Sequence, residues 1–262
     1  METAMRIISL VENTTVLRDI VPEHGLSLYI ETDGHRILFD MGQTDLFARN
    51  AETLGVDLSL VDIAVVSHGH YDHGGGLEKF LRINKKAQVF ISQYAFGDYY
   101  NGTEKYIGLD KSLKESERLV FVGDEYKIDK GLCLYSCNKN ERRHSLGAFG
   151  LTQKTDGGYI PDDFIHEQYL LIKENEKRIL ISGCSHKGIM DIAEWFRPDV
   201  LIGGFHFSKM PQGEALESAA RLLDSYNTEY YTCHCTGVEQ YEFMKKHMKW
   251  LNYFSAGQII DI

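Results

Sequence analysis

Val61-Asp62-Ile63-Ala64-Val65-Val66-Ser67 runs directly into His68-Gly69-His70-Tyr71-Asp72-His73-Gly74-Gly75-Gly76. The first part is almost continuously apolar, as expected of a strand covered on both faces. The second carries three histidines and an aspartate within six positions. Imidazole is the commonest ligand for zinc and similar ions, and His68 and His70, two residues apart, let one loop offer two nitrogens to one ion. Asp72 and His73 point to a second position a few ångströms away. Two ions roughly 3.5–4 Å apart can clamp both oxygens of a displacement reaction. Gly69 and Gly74–Gly76 leave the backbone free to turn tightly round such a centre.

Working outward, Met5–Val11 reads as a strand, and Leu26–Thr32 with Arg36–Phe39 as a hairpin about Asp33-Gly34. Asp45–Leu54 has helical spacing and stops at Gly55, and a helix is expected over Leu77–Ile83. Ala87–Ser92, Leu119–Val122 and Gly131–Ser136 read as strands. Gln93–Ser116, rich in Tyr and Gly without a period, reads as an irregular insertion that covers a pocket. Gln168–Lys173 and Arg178–Ser182 form a second hairpin about Glu174-Asn175-Glu176. A helix over Gly188–Phe196, a strand over Val200–Phe205, a helix over Glu214–Ser225, a strand over Glu229–Cys233 and a helix from Val238 to Lys249 follow. Strands lead each half and helices return after them, which favours an α/β sandwich with helices outside two packed sheets. No repeat, low-complexity tract or linker divides the chain, so residues 1–262 read as a single domain with its insertion around 93–116. The recurring theme is a strand whose C-terminal end carries a polar loop with a histidine, where α/β proteins place ligand sites.

The 262 residues carry a formal net charge of −10, with 43% hydrophobic and 25% charged side chains. That composition excludes intrinsic disorder, and the acidic balance argues against a nucleic-acid partner bound through its phosphates. No stretch approaches the ~20 apolar residues of a membrane span. Glu2 and Arg6 precede any apolar run, unlike a secretory signal, so the expected location is cytoplasmic and the expected partner a small molecule. The five cysteines are odd in number and thinly spread, as reduced thiols are. Cys133 and Cys137 read as packing residues. Cys233 and Cys235 flank His234, and strand alternation would turn both away from it as buried, inert thiols. Cys184 stays open between a zinc-ligating thiolate and a packed thiol. His24, His35, His144, His166 and His247 read as surface or supporting histidines.

The His-x-His-x-Asp-His motif after a buried strand, with Leu38-Phe39-Asp40-Met41-Gly42 upstream, resembles the metallo-β-lactamase fold superfamily. Glu23-His24-Gly25-Leu26-Ser27, Gly183-Cys184-Ser185-His186, Gly203-Gly204-Phe205-His206 and His234-Cys235-Thr236-Gly237 make the chain most similar to the dihydropterin ribofuranosyl-aminobenzene phosphate synthase-like branch. The resemblance implies a four-layer αββα sandwich of two mixed sheets with a dinuclear metal site at one edge. It implies that His68 and His70 bind the first of two divalent ions (zinc, or else iron or manganese) and that Asp72 and His73 bind the second, completed by His234. Two positions of the family pattern do not transfer. Pro161-Asp162-Asp163-Phe164-Ile165-His166-Glu167 offers no clear match to the mid-chain histidine ligand, and Gly183-Cys184 stands where the pattern has a bridging Gly-Asp. His186 is the candidate to fill the gap, with Cys184 beside it.

The expected activity is that of a dinuclear metallohydrolase. A metal-bound water with its pKa lowered toward ~7 would attack a phosphoryl, lactone or amide centre. Asp72 would orient it and His206, at a strand end, would protonate the leaving group. Arg142, Arg143 and Lys187 are the cations nearest in sequence to the site loops and would bind an anionic substrate, pterin-related if the branch resemblance extends to chemistry. Two rival readings are a redox diiron centre on the same fold, which would want a carboxylate where Cys184 stands, and a metal-binding sensor or scaffold without turnover. The net charge does not oppose an anionic substrate. Two divalent ions bring +4 to a pocket in which Asp72 is the expected carboxylate, so the local field is positive within an acidic molecule.

Overall fold

The computed structural model describes residues 5–262, so Glu2, used above against a secretory signal, lies outside them. Buried aliphatics make an antiparallel meander of β1 (Arg6–Val11), β2 (Ser27–Glu31) and β3 (Arg36–Phe39). The chain then crosses through α1 (Leu46–Thr53) to β4 (Ile63–Val66), and through the single turn α2 (Tyr71–Gly74) and α3 (Leu77–Ile83) to β5 (Gln88–Ser92). Helical crossovers require parallel strands, and β3, β4 and β5 are parallel. After β6 (Tyr99–Asn101) and β7 (Lys105–Tyr106), β8 (Leu119–Val122) joins this sheet beside β5.

The second sheet starts with β9 (Glu125–Asp129) and β10 (Leu132–Tyr135). After β11 (Leu151–Thr155) and β12 (Gly158–Pro161) it continues with the hairpin of β13 (Tyr169–Glu174) and β14 (Lys177–Ile181). It is finished by α4 (Ile189–Phe196), β15 (Val200–Gly203), α5 (Glu214–Asp224), β16 (Glu229–Thr232), α6 (Val238–Met244) and β17 (Leu251–Tyr253), with β14 to β17 parallel. The last strand, β18 (Ile259–Asp261), returns to pair with β1. The orders are β18-β1-β2-β3-β4-β5-β8 and β17-β16-β15-β14-β13-β10-β9.

Between the sheets, Leu28, Phe39 and Val65 meet Leu134, Leu170, Ile181 and Ile202, all buried. Outside, Phe47, Leu77 and Phe80 seat α1 and α3 on the first sheet, while Ile192, Leu216 and Met244 seat α4, α5 and α6 on the second. Burying each such side chain contributes about 1.5–3 kcal/mol, which is what makes the four layers αββα. Among the described residues no helix is long and apolar enough to cross a membrane.

The segment 93–116 is not irregular throughout. Its strands β6 and β7 join β11 and β12 in a third, antiparallel sheet of order β12-β11-β6-β7. Strands of two or three residues are too short for a period to show, and β6, beyond its short hairpin with β7, finds its other partner some 50 positions further on. Tyr99, Ile107, Leu151 and Phe164 root this sheet over Tyr71 of the site loop. The strand expected over Val200–Phe205 ends at Gly203, whose φ of +147° turns the chain toward His206. The final helix stops at Met244 instead of Lys249.

Candidate metal centre

The site lies where the two sheets meet at the C-terminal ends of β4, β14, β15 and β16. Gln168 stitches them together, its amide donating to the Val66 carbonyl at 2.8 Å and its backbone N–H to that of Ser67 at 2.8 Å. Beyond Ser67 the loop is pressed against its neighbours. A Cβ at Gly69 would run into the carbonyl of Ala95, so only glycine fits. His68 and His70 leave the loop inward, and α2 then presents Asp72 and His73 from its one turn. All four are buried.

Outer hydrogen bonds fix the tautomers. Asp40 accepts from the Ser67 N–H at 2.7 Å, from the Ser67 hydroxyl at 2.7 Å and from His73 Nδ1 at 2.6 Å. Because the Ser67 hydrogen points to Asp40, its oxygen accepts from His68 Nδ1 at 2.8 Å. Asn13 Oδ1 accepts from His234 Nδ1 at 2.8 Å. The Nε2 atoms of His68, His73 and His234 are thereby the ones turned inward, and in the neutral rings they carry the lone pairs that ligate metals.

The distances between these donors are those an ion would impose. A tetrahedral ion with ligands at ~2.1 Å holds them ~3.4 Å apart. His73 Nε2 lies 3.2 Å from His234 Nε2 and 3.2 Å from Cys184 Sγ. Asp72 Oδ2 lies 3.4 Å from His234 Nε2 and 3.9 Å from His73 Nε2. On the other side of Cys184, the donors of His68 and His186 lie with its sulfur within 4.8 Å of one another, and the His70 ring is centred 5.0 Å from that of His186. His68 Nε2 is buried without a hydrogen-bond partner, His70 Nε2 has Asp162 Oδ2 no nearer than 3.8 Å, and His186 Nδ1 faces Glu167 Oε1 at 3.3 Å. A buried nitrogen without a close partner is costly unless something binds it, so the residues present fit a metal site. Cys184 belongs to both donor groups.

Electrostatics divide the donors into two kinds: some are already bare, whereas His73 and Cys184, whose thiol burial pushes well above its ordinary value, hold protons that a metal would displace. Burial drives His68 well below its ordinary value, and burial with His206 nearby drives His186 down to about 3, so both are neutral. Burial opposes ionisation of Asp72, but His73, His234 and His24 together hold it well below the usual carboxylate range. Burial also opposes protonation of His73, yet Asp40 and Asp72 raise it to about 9, so without an ion this ring keeps a second proton that metal binding would release. Strain collects here as well. Asp40, Ser185, His206 and His234 all have positive φ, between +49° and +59°, an arrangement typical of functional sites.

Of the sequence candidates, His68, His70, Asp72, His73, Cys184, His186 and His234 come together. His206 stands at the edge of the cluster, its ring centred 4.4 Å from that of His186. Arg142, Arg143 and Lys187 do not reach it. Arg142 is held by Asp163 and Arg143 by Glu141. Lys187 is buried and points away, its ammonium donating to the carbonyls of Ser136 at 2.6 Å and Glu167 at 2.7 Å. A cavity of about 260 Å³ opens over the cluster, and its cations are Lys105 and Lys209 instead. Cys235 corrects a second expectation. The strand has already ended at Thr232, so alternation no longer applies, and its thiol lines the cavity and donates to the Cys184 carbonyl. Cys233 does face the core between the sheets.

Asp40, Glu12, Asn13, Asp162 and Glu167 were not expected at the site, and His24 and His166, read as surface or supporting histidines, take the supporting place. Asp40 had a signal in its Leu-Phe-Asp motif, and Glu12-Asn13 in its place at a strand end. His166 supports the loop without a free lone pair: Nδ1 accepts from the Gly69 N–H at 2.9 Å and Nε2 faces Asp162 at 3.1 Å.

With fold and donor set in view, the chain belongs to the metallo-β-lactamase superfamily, whose family pattern matches residues 20–234. It is 30% identical over 98% of its length to all of MJ0448, an uncharacterized protein of Methanocaldococcus jannaschii. It is 26% identical to 7,8-dihydropterin-6-methyl-4-(beta-D-ribofuranosyl)-aminobenzene-5'-phosphate synthase of the same organism, over 91% of this chain and 90% of that one. Among solved structures it is similar to Tm1679, described as a metal-dependent hydrolase of the β-lactamase superfamily, with a TM-score of 0.83, 30% identity and coverage of 98% and 99% of the two chains.

Proposed function

We propose that this protein is a dinuclear metallohydrolase acting on a small anionic substrate, phosphate- or lactone-containing. The reading rests on one observation above all: two groups of converging, buried imidazole nitrogens, His68 with His186 and His73 with His234, share Cys184. His68, His70 and His186 would hold the first ion. Asp72, His73 and His234 would hold the second, with Cys184 between them as a thiolate ligand. Nitrogen, sulfur and carboxylate donors in this proportion suit zinc better than magnesium or calcium. Ions bound there would supply an activated water and polarise the substrate oxygen.

The protein's own groups do the rest. Asp72, ionised and directed by its imidazole neighbours, orients the nucleophile. His206, whose buried Nδ1 lacks a partner, faces the cavity and delivers a proton to the leaving group. Lys105, tethered to the Tyr71 hydroxyl at 3.1 Å, and Lys209, at the Phe149 carbonyl at 3.0 Å, approach the mouth from different elements and favour an anionic substrate. The phosphate in the name of the 26% identical synthase agrees with that charge, and a pterin-related substrate is the extension it suggests.

Elemental analysis of purified protein, joined to turnover of bis(p-nitrophenyl) phosphate, p-nitrophenyl phosphate and a simple lactone with and without chelator, tests this. About two metal equivalents and chelator-sensitive turnover are expected. Protein that binds no more than one equivalent from excess zinc would sink the dinuclear reading.

A further inference from the structure

The second metal position is gripped from outside by two residues that belong to neither donor group. The polar end of β1 brings Glu12 and Asn13 against His234, more than 220 positions away in sequence. Buried Glu12 accepts from the His234 N–H at 2.7 Å and from the Tyr253 hydroxyl at 2.9 Å, which steadies a residue whose φ is +49°. Asn13 then uses both ends of its amide. Its oxygen accepts from His234 Nδ1 at 2.8 Å, and its nitrogen faces the His234 carbonyl at 3.4 Å and His24 Nδ1 at 3.5 Å.

An amide that accepts at one end and donates at the other sorts two histidines into opposite tautomers. His234 carries its proton on Nδ1 and turns a bare Nε2 to the ion position. His24 accepts at Nδ1 and carries its proton on Nε2, which lies 3.2 Å from Asp72 Oδ2. The backbone around His24 is built for this approach. Gly25 has φ of +149°, and a Cβ there would collide with the Asp72 carbonyl. With glycine, the Leu26 N–H reaches that carbonyl at 3.2 Å and the Gly25 N–H reaches Asn13 Oδ1 at 3.3 Å. The segment is therefore docked on both ends of Asp72, main chain and carboxylate.

We propose that Asn13 and His24 are positioning residues that set the affinity and geometry of the second metal position, with His24 acting as a hydrogen-bond donor to Asp72 and not as a ligand. This rests on the dinuclear reading above. Loss of comparable outer partners in other metal sites weakens binding roughly 10–100-fold. The alternative is that His24 joins Asp72 and His234 as a third ligand, since their donor atoms lie within 4.8 Å of one another.

The test is a zinc titration of metal-stripped, full-length protein against a chromophoric chelator, run in parallel with the absorption spectrum of the Co(II)-loaded form. Both side chains are solvent-exposed, so N13A, H24A and H24Q are expected to fold, and circular dichroism checks it. We expect N13A and H24A to weaken the second equivalent about 10–100-fold and leave the first unchanged. H24Q, whose amide nitrogen can take the place of Nε2–H, is expected to restore most of the affinity and the wild-type Co(II) spectrum. Unchanged affinity in both alanine variants would overturn the proposal. Equal loss in H24A and H24Q, with the same altered spectrum, would also overturn it by making His24 a ligand. A wild type that binds a single ion would instead remove the dinuclear reading on which the proposal stands.

Discussion

The two sheets deliver their donors in different ways. From the first, one loop after β4 supplies His68, His70, Asp72 and His73 in six consecutive residues, locked by Asp40 at the end of the neighbouring parallel strand. From the second, three separate loops after β14, β15 and β16 supply Cys184 with His186, His206, and His234. Their supports arrive from elsewhere: Glu167 at the entry to β13, and Glu12 and Asn13 from the opposite sheet. The first group is a local unit whose geometry follows from its own turn. The second exists only because parallel strands end level with one another, so its members depend on the register of the whole sheet.

That contrast makes the first-sheet loop the place of largest effect. Replacing both imidazoles in H68A/H70A is expected to abolish binding at the first position, beyond the roughly 100-fold cost of losing an outer partner. The fold should survive, because no hydrophobic contact between the layers is touched. Full metal retention by elemental analysis would end the argument for this loop as the metal cradle. C184S comes next. If Cys184 spans both positions, the variant loses at least one of two equivalents, and the thiolate charge-transfer band disappears from the Co(II) form. An unchanged metal ratio would reduce Cys184 to packing.

A matched pair of buried carboxylates sharpens the comparison further. Asp40 holds the His73 ring at 2.6 Å, whereas Glu167 spreads its acceptors over the His186 N–H at 2.7 Å, the Lys187 N–H at 3.1 Å and the Tyr169 hydroxyl at 2.6 Å, and meets the His186 ring only at 3.3 Å. D40N forces an amide to face three donors and is expected to weaken metal binding about 10–100-fold. E167Q is expected to weaken it less than tenfold while lowering stability by about 1–3 kcal/mol, since a buried donor loses its acceptor. Chelator competition and urea unfolding measure the two effects separately. Equal loss of metal in both variants would erase the distinction between local and register-dependent support.

The same distinction explains what could be read beforehand. The αββα layering was legible because β1 to β5 and the β13–β14 hairpin carry long apolar periods and clear turns. So was the clustering of His68, His70, Asp72 and His73, which sit together in sequence. His186 and His234 were found through short strings at strand ends, and their assembly needed the parallel alignment of β14 to β16. Arg142, Arg143 and Lys187 were misplaced because nearness in sequence says little about which way a loop side chain turns. Lys105 was missed for the complementary reason: its hairpin of β6 and β7 is placed over the cavity by the pairing of β6 with β11, some 50 residues further on. Asn13 had only its place at a strand end and His24 only its place in Glu23-His24-Gly25-Leu26-Ser27; their pairing with His234 and Asp72 was illegible because those partners lie far along the chain.

Lys187 provides the smallest and most selective test. It directly follows His186, yet it serves as a buried post under the second-sheet loop and not as a substrate contact. Burial outweighs the attraction of Glu167 and pulls its ammonium down to about 8 from the ordinary 10.5. Between those values the unfolded chain holds the proton while the native protein has released it. The unfolded state therefore binds more protons, and native stability gains with rising pH across this window, by at most about 1.4 kcal/mol per unit. Below pH 8 both states are charged and the cost of burial is present in full. K187M removes the group, so the difference in unfolding free energy between wild type and K187M should move in favour of wild type from about pH 8 to 10.5. Urea unfolding at half-unit steps measures it. A difference that stays flat would mean the ammonium is solvated, and would return Lys187 to the cavity from which its hydrogen bonds to Ser136 and Glu167 exclude it.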